Sequence, residues 1–393
     1  MSEFTEHRLG DVAHVTWGNT NTTKASYKEI GFLAFSAAGP DGFLDHYDYD
    51  CDGIVLSAIG AKCGGTWFAS GRWSCIKNTI VITKPAEGVD MRYLYYATSD
   101  PAIWPKRGAA QPFISQTDAR AVPVSLPPLP TQQRIAAILS AYDDLIENNT
   151  RRIAILEEMA RRLYEEWFVH FRFPGHEKVE FDETSLGMTP RGWPLVRLEE
   201  LVEINPRTWV PKDGQKPFVP MGSLSETSMV IEPVDQREGN SGTKFQNDDT
   251  LVARITPCLE NGKTGFVDFL SEEEPVAFGS TEFIVLRPSI LGRCAVYCLA
   301  RSHVFRDVAI KSMSGAEGRQ RVRPESIQSF AIAGPPADLL SRFERFCDPV
   351  FAQVSALAQK NANLRAQRDL LLPKLVSGEI EVSGAEAALE AAE

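Results

Sequence analysis

Between Thr131 and Phe171, apolar residues recur at Ile135, Ile138, Tyr142, Ile146, Ile153, Leu156, Ala160, Leu163 and Trp167, with Asn149 filling one polar place in the series. Steps of three and four with a single stutter define a heptad seam, the pattern of a long helix with one apolar stripe. Some 40 residues at about 1.5 Å each make a rod of roughly 60 Å. Thr131 is the expected N-cap, after the proline-rich lead Leu126–Pro130. A single apolar stripe needs a partner, and the same chain supplies one 208 residues later. Phe343, Phe346, Val350, Val354, Leu357, Asn361, Leu364, Arg368, Leu371 and Leu375 repeat the steps and the stutter, behind a matching Pro335-Pro336. Pro349 predicts a kink and Pro373 the helix end. Antiparallel pairing about the common centre sets Ile135 against Leu375, Tyr142 against Arg368 and Asn149 against Asn361. The two asparagines then face each other and fix the register.

Ahead of the first helix, residues 1–127 show short apolar β-type runs at Gly31–Phe35, Gly53–Ile59 and Thr79–Thr83. A short aromatic helix is predicted over Met91–Ser99, a loop over Gly108–Gln116 and a strand over Ala121–Leu126. Arg8–Val12 is expected to open the first strand. After a polar linker the pattern restarts: Arg197–Leu201 echoes Arg8–Val12, Ser280–Pro288 echoes Asn78–Pro85, and Gly315-Ala316 echoes Gly108-Ala109. From the Arg-Leu start to the Pro-Pro lead the first copy has 119 residues and the second 138, so the second carries an insertion. The expected order is a mixed domain at 1–127, a long spacer helix at 128–173, a second domain with its linker at 174–335, a second long helix at 336–380 and a frayed tail at 381–393. The fold class is α+β: two mixed domains in tandem repeat, separated by two long helices that form an antiparallel coiled coil.

A length of 393 residues suits two or three domains with real cores. Met1–Glu6 offers no basic region followed by an apolar run, so no secretory signal is expected, and no apolar run reaches membrane-spanning length. Seven scattered cysteines form no Cys-x-x-Cys. Cys294 and Cys298 can share a helix face, yet nothing nearby completes a zinc site, so no metal and reduced cytoplasmic thiols are expected. The net charge of −11 disfavours a general nucleic-acid binder. Residues 1–127 hold 11 basic against 13 acidic side chains and 177–335 hold 18 against 23, so contact with DNA would need local basic faces or basic partners.

Catalytic motifs are scarce. Gly262-Lys263-Thr264 resembles the end of a phosphate-binding loop, but Pro257 stands where that motif needs glycine. Asn205-Pro206 is followed by Arg207 and lacks the aromatic residue of an amino-methyltransferase motif. Binding chemistry is more evident. Lys106, Arg107, Gln111, Ser115 and Gln116 occupy one glycine-containing loop, and Lys311, Arg319, Gln320, Arg321 and Arg323 occupy the matching stretch of the second copy. Arginine and lysine suit phosphates or guanine edges, and glutamine suits adenine.

Phe113–Asp118, Leu126–Ala136, Glu166–Val169, Phe171–Glu177, Pro190-Arg191-Gly192-Trp193 and Leu371–Ile380 together resemble the specificity subunit of Type I restriction–modification enzymes. The resemblance extends over the whole chain. It implies two target-recognition domains that each read half of a split site in double-stranded DNA, and two antiparallel helices that space them. It also implies two methylation subunits and endonuclease/translocase subunits docked on those helices. On this reading the chain is cytoplasmic and non-catalytic and holds no cofactor, with S-adenosylmethionine, ATP and Mg on the partners. A coiled-coil scaffold with two protein-binding domains and no DNA role is the competing reading. Salt-dependent, sequence-selective DNA retention separates the two.

Overall fold

The computed structural model describes residues 4–108, 110–316 and 318–382. The expected frayed tail, from Ser383 onward, lies outside the described residues. The chain divides into two compact units, residues 1–146 with 362–393, and residues 147–361. The segments anticipated as separate spacers are therefore shared out, each unit taking half of each long helix into its own core.

In the N-terminal unit the order is β1 (Thr5–Arg8), α1 (Leu9–Val12), β2 (His14–Trp17), β3 (Phe32–Ser36), β4 (Gly39–Leu44), β5 (Tyr49–Asp50), β6 (Gly53–Ser57), β7 (Thr66–Ala69), β8 (Arg72–Cys75), β9 (Thr79–Thr83), α2 (Met91–Ala97), α3 (Gln116–Arg120) and β10 (Pro123–Leu126). Helix α4 (Leu129–Tyr164) follows. One sheet has the order β2-β9-β6-β7 and is antiparallel, and a second has the order β4-β3-β8-β5 with β3 and β8 parallel. Strands β1 and β10 pair antiparallel where the chain enters and leaves the domain. Leu9–Val12, expected as strand, is one helical turn that buries Leu9 and Val12. The fully buried runs of β6 and β9 pack with α2 against Ile135, Ile138, Leu139 and Tyr142 of α4 and against Leu364 and Leu375 of the second long helix.

The second unit has β11 (Phe181–Thr184), β12 (Gly187–Pro190), β13 (Leu195–Arg197), β14 (Val202–Ile204), β15 (Lys216–Val219), β16 (Asp235–Arg237), β17 (Thr243–Gln246), β18 (Thr250–Ala253), β19 (Thr264–Phe266), β20 (Val276–Gly279) and β21 (Phe283–Pro288). Then come α5 (Arg293–Arg301), α6 (His303–Lys311), α7 (Pro324–Gln328), β22 (Ala331–Ala333) and α8 (Ala337–Ser377). The orders β14-β21-β18-β19 and β16-β15-β20-β17 reproduce the two sheets of the first unit strand for strand, including the parallel pair β15-β20. Strands β13 and β22 repeat the entry–exit pair. Helix α6 and the β11-β12 hairpin have no counterpart among the described elements of the first unit.

The long helices start earlier than their sequence suggests. Thr131 and Gln132 donate their N–H groups to the Pro128 carbonyl, so Pro128, not Thr131, caps α4. Pro130 sits in the first turn, where its missing donor costs nothing. In α8, Leu339 and Leu340 donate to Pro336 in the same way. Helix α4 passes into a π-helical turn at Glu165–Val169 rather than running regularly to Phe171, whose φ is 56°. Helix α8 continues through Pro349 and past Pro373 to Ser377 and ends on Gly378 at φ 75°, which closes a left-handed C-cap. Each interior proline removes one backbone bond from a helix held by tertiary packing, which is not enough to end it. Phe346, predicted in the seam, is 49% exposed, while Phe343 and Cys347 are buried.

Glu157 of α4 is 2% exposed and accepts the Ser228 hydroxyl at 2.6 Å and the Met229 N–H at 3.0 Å. Burial pushes its pKa above the usual carboxylate range, against the pull of these hydrogen bonds. A carboxyl raised on folding lends stability below its unfolded value and loses it as pH rises through the folded value. Glu157→Gln keeps a carbonyl acceptor for Met229 and cannot ionise. The variant is therefore expected to flatten the fall in stability of the C-terminal unit between mildly acidic and neutral pH. Denaturant titrations across that range check this, and an unchanged pH slope refutes it.

Candidate nucleic-acid interface

The two basic loops occupy equivalent places. In the first unit, Arg107 and Phe113 exchange backbone hydrogen bonds of 2.8 Å, and Phe113 also bridges to Ile59 just beyond β6. In the second, Ser314 and Arg321 exchange bonds of 3.0 Å, and Arg321 bridges to Ile255 just beyond β18. Each closure leaves a short exposed tip that turns through a glycine in the left-handed region, Gly108 at φ 81° and Gly315 at φ 129°.

Side chains on these loops divide into those that build the loop and those that face solvent. Arg107 donates to Asp118 Oδ1 at 2.6 Å. Ser115 caps α3, its hydroxyl accepting the Asp118 N–H at 3.1 Å. Gln116 turns inward and donates to the Val15 carbonyl at 2.6 Å. Arg321 holds Glu282 through bonds of 2.6–3.0 Å, and Arg323 donates to the Ser314 hydroxyl at 2.9 Å. The backbone of Gln320 is clamped to Thr256 by two bonds of 3.1 Å. Lys106, Gln111, Lys311 and Arg319 are exposed. So Ser115 and Gln116 serve local structure here, while Lys106 and Arg319 carry the outward charge.

Beside each loop the fold opens a cleft that the sequence alone did not disclose. In the N-terminal unit it measures 630 Å³ and is lined by Lys24, Lys62 and Lys77 together with Ser36, Ile59 and Asn78. In the C-terminal unit it measures 580 Å³ and is lined by Arg207, Lys244 and Arg254 together with Asn205, Trp209 and Thr281. Neither lining includes a carboxylate, in a chain whose net charge is −11. Ile59 joins the first cleft to its loop, and Arg254, which donates to the Val322 carbonyl at 3.2 Å, joins the second. Nearby carboxylates are already engaged: Asp41 takes Lys24 at 2.5 Å and Glu282 takes Arg321. Single cations in separate turns gave the sequence no motif to show.

Asn149 Nδ2 donates to Asn361 Oδ1 at 3.0 Å, both side chains being buried. Trp167 and Phe343 meet edge to face at 6.1 Å in the same unit, so these stretches of α4 and α8 lie side by side in opposite directions. In the other unit Tyr142 donates to Gln367 at 3.3 Å and Arg368 to Asp143 at 2.5 Å. The motif residues at the end of α4 also find a physical role: Trp193 stacks on Phe173 at 5.4 Å and meets Phe168 and Phe171.

Cys294, Glu344 and Asp348 bring ligand-type atoms within 4.8 Å of one another. Their hydrogen bonds are used within the fold. Glu344 accepts the N–H groups of Cys294 and Ala295 at 3.1 and 2.9 Å and so caps α5, and Asp348 takes Arg293 at 2.9 Å. Among the described residues no helix is long and apolar enough to cross a membrane.

A duplicated α+β unit, closed by its own terminal strands and carrying a basic loop beside a cationic cleft, defines a class of paired α+β domains. Residues 1–158 match the Type I restriction modification DNA specificity domain. The chain is 27% identical over 319 residues to the MjaIX specificity subunit of Methanocaldococcus jannaschii, a match covering 76% of this chain and 71% of that one. It is 32% identical over 154 residues to the EcoAI specificity subunit of Escherichia coli, covering 37% and 26%. The crystal structure of a Type I restriction–modification S subunit from M. genitalium shares the fold at a TM-score of 0.57 and 14% identity, covering 95% of this chain and 96% of that one. Residues 1–158 thus carry the family's DNA specificity domain, and most of the chain is similar to Type I restriction–modification specificity subunits.

Proposed function

We propose that this chain reads a bipartite sequence in double-stranded DNA, one half with each unit, and leaves the chemistry to other subunits. The observation that carries this reading is the repetition of a basic loop at the same place in both sheet systems, each with a cationic cleft beside it whose lining holds no carboxylate. Phosphate neutralisation needs such local cation clusters when the chain as a whole is acidic. Methylation subunits with S-adenosylmethionine, and endonuclease subunits with ATP and Mg, are the partners this reading calls for. Genome-wide mapping of methylated bases in a host with and without this chain tests it. A split motif that disappears with the chain is expected. An unchanged methylation pattern, together with no sequence-selective DNA retention by the purified complex, overturns it in favour of a protein scaffold.

The long helices on this reading form an antiparallel coiled coil whose register is set by Asn149 and Asn361. The direct amide pair and the flanking pairs of opposite direction support it. Asn361→Ala leaves the buried Asn149 amide without its partner and is expected to cost about 1–3 kcal/mol. Replacing both asparagines by leucine is expected to restore stability while loosening register. Urea unfolding of the single and double variants checks this, and a double variant as weak as the single one counts against the pairing role.

A further inference from the structure

Trp209 is 79% exposed, yet the loop that carries it is fixed on both sides. Asn205, at φ 51°, donates its N–H to the Val285 carbonyl at 2.8 Å and accepts the Val285 N–H at 3.0 Å through its side chain. The Thr208 hydroxyl accepts from Arg287 at 2.9 Å, and Arg287 is itself locked to buried Asp249. Val210 is buried, and its carbonyl accepts the Asn240 amide at 3.0 Å. An indole held in water by so many anchors has lost its loop entropy in advance, which is what a stacking contact needs. It stands on the lining of the cleft that also presents Arg207, Lys244 and Arg254.

We propose that Trp209 is a wedge that stacks on a nucleobase at one step of the half-site read by the C-terminal unit, a proposal that rests on the DNA reading above. The flat indole fits the face of a base, and a base in a duplex offers its face only when the step beside it opens. Arg207 and Lys244 supply the charge that holds the flanking phosphates while the step opens. Lining cations without carboxylates favour a nucleic acid over an apolar protein surface as the occupant.

The test uses the complex purified from its host and duplexes that the wild-type complex selects from a random library. Trp209→Ala is expected to weaken binding to a selected duplex by roughly 5- to 150-fold, the range of one lost stacking contact. With 2-aminopurine placed in turn at each position of that half-site, the wild-type complex should change its emission at one step. Trp209→Ala should abolish that signal and Trp209→Phe retain part of it. Equal affinity and emission in wild type and Trp209→Ala overturn the proposal. So does an alanine variant that binds DNA normally but assembles poorly with its partner subunits, which would make Trp209 a protein contact. A wild-type complex that selects no duplex defeats the DNA reading itself.

Discussion

Arg287→Ala is expected to destabilise the C-terminal unit by about 3–5 kcal/mol, the usual cost of stranding one member of a buried ion pair. Arg287 donates to both Asp249 oxygens at 2.7 Å, and the two side chains are 15% and 0% exposed. Asp249 also accepts the Gln246 N–H at 2.8 Å, which fixes the turn between β17 and β18. Without the guanidinium a carboxylate is left in the core with only the Gln246 N–H as donor among the described residues. The pair ties the start of β18 to β21, and through Thr208 it also positions the rim of the cationic cleft. Urea unfolding, together with hydrogen exchange in β18 and β21, measures the loss. Arg287→Met combined with Asp249→Asn is expected to recover much of it, because no charge then remains buried. A loss below about 1 kcal/mol in Arg287→Ala, far under the cost of a stranded buried charge, would show that water reaches Asp249 freely.

The second large effect lies in binding. Arg319→Ala is expected to weaken recognition of the half-site read by the C-terminal unit by about 1–3 kcal/mol if its guanidinium meets a base edge, and to leave the other half unaffected. A phosphate contact would instead weaken all sequences alike and lower the salt slope by about 1. Lys106→Ala should act on the opposite half in the same way. Arg321→Ala and Arg107→Ala should act less through contact and more through loop geometry, since Glu282 and Asp118 already hold those side chains. Binding to duplexes with either half scrambled, at fixed ionic strength, distinguishes the cases. Unchanged affinity in all four variants removes these loops from the interface.

The long helices were legible because a heptad spacing sustained over ten positions suits a long paired helix and little else, and the chain repeats it 208 residues later. The asparagine pairing followed from the same arithmetic. The start of α4 was less legible, because a threonine after prolines draws the eye while the carbonyl of Pro128 does the capping. Strands β6 and β9, buried on both faces, showed as continuous apolar runs. Strand β4, Gly-Pro-Asp-Gly-Phe-Leu, has neither alternation nor an apolar run, and β5 is only two residues long, so of the second sheet only β3 showed in the sequence. Of the basic loops, the positions were found but not the roles. A serine that caps a helix and a glutamine that ties down a strand look, in sequence, like groups free to read a base. The clefts were missed because Lys24, Lys62 and Lys77, or Arg207, Lys244 and Arg254, come together only after the sheets have formed.

Strands β1 with β10, and β13 with β22, act as clasps at which the chain enters and leaves each domain. Everything from Leu9 to Val122, or from Leu198 to Phe330, hangs from one such clasp as a closed loop of chain. A pair of genetic crossovers, one in each strand of a clasp, transplants an entire sheet system with its loop and cleft, provided its face toward α4 and α8 still fits those helices. On the proposed DNA reading, such a gene carries two exchangeable cassettes, and exchanging one would change the specificity of one half-site while leaving the other half in place.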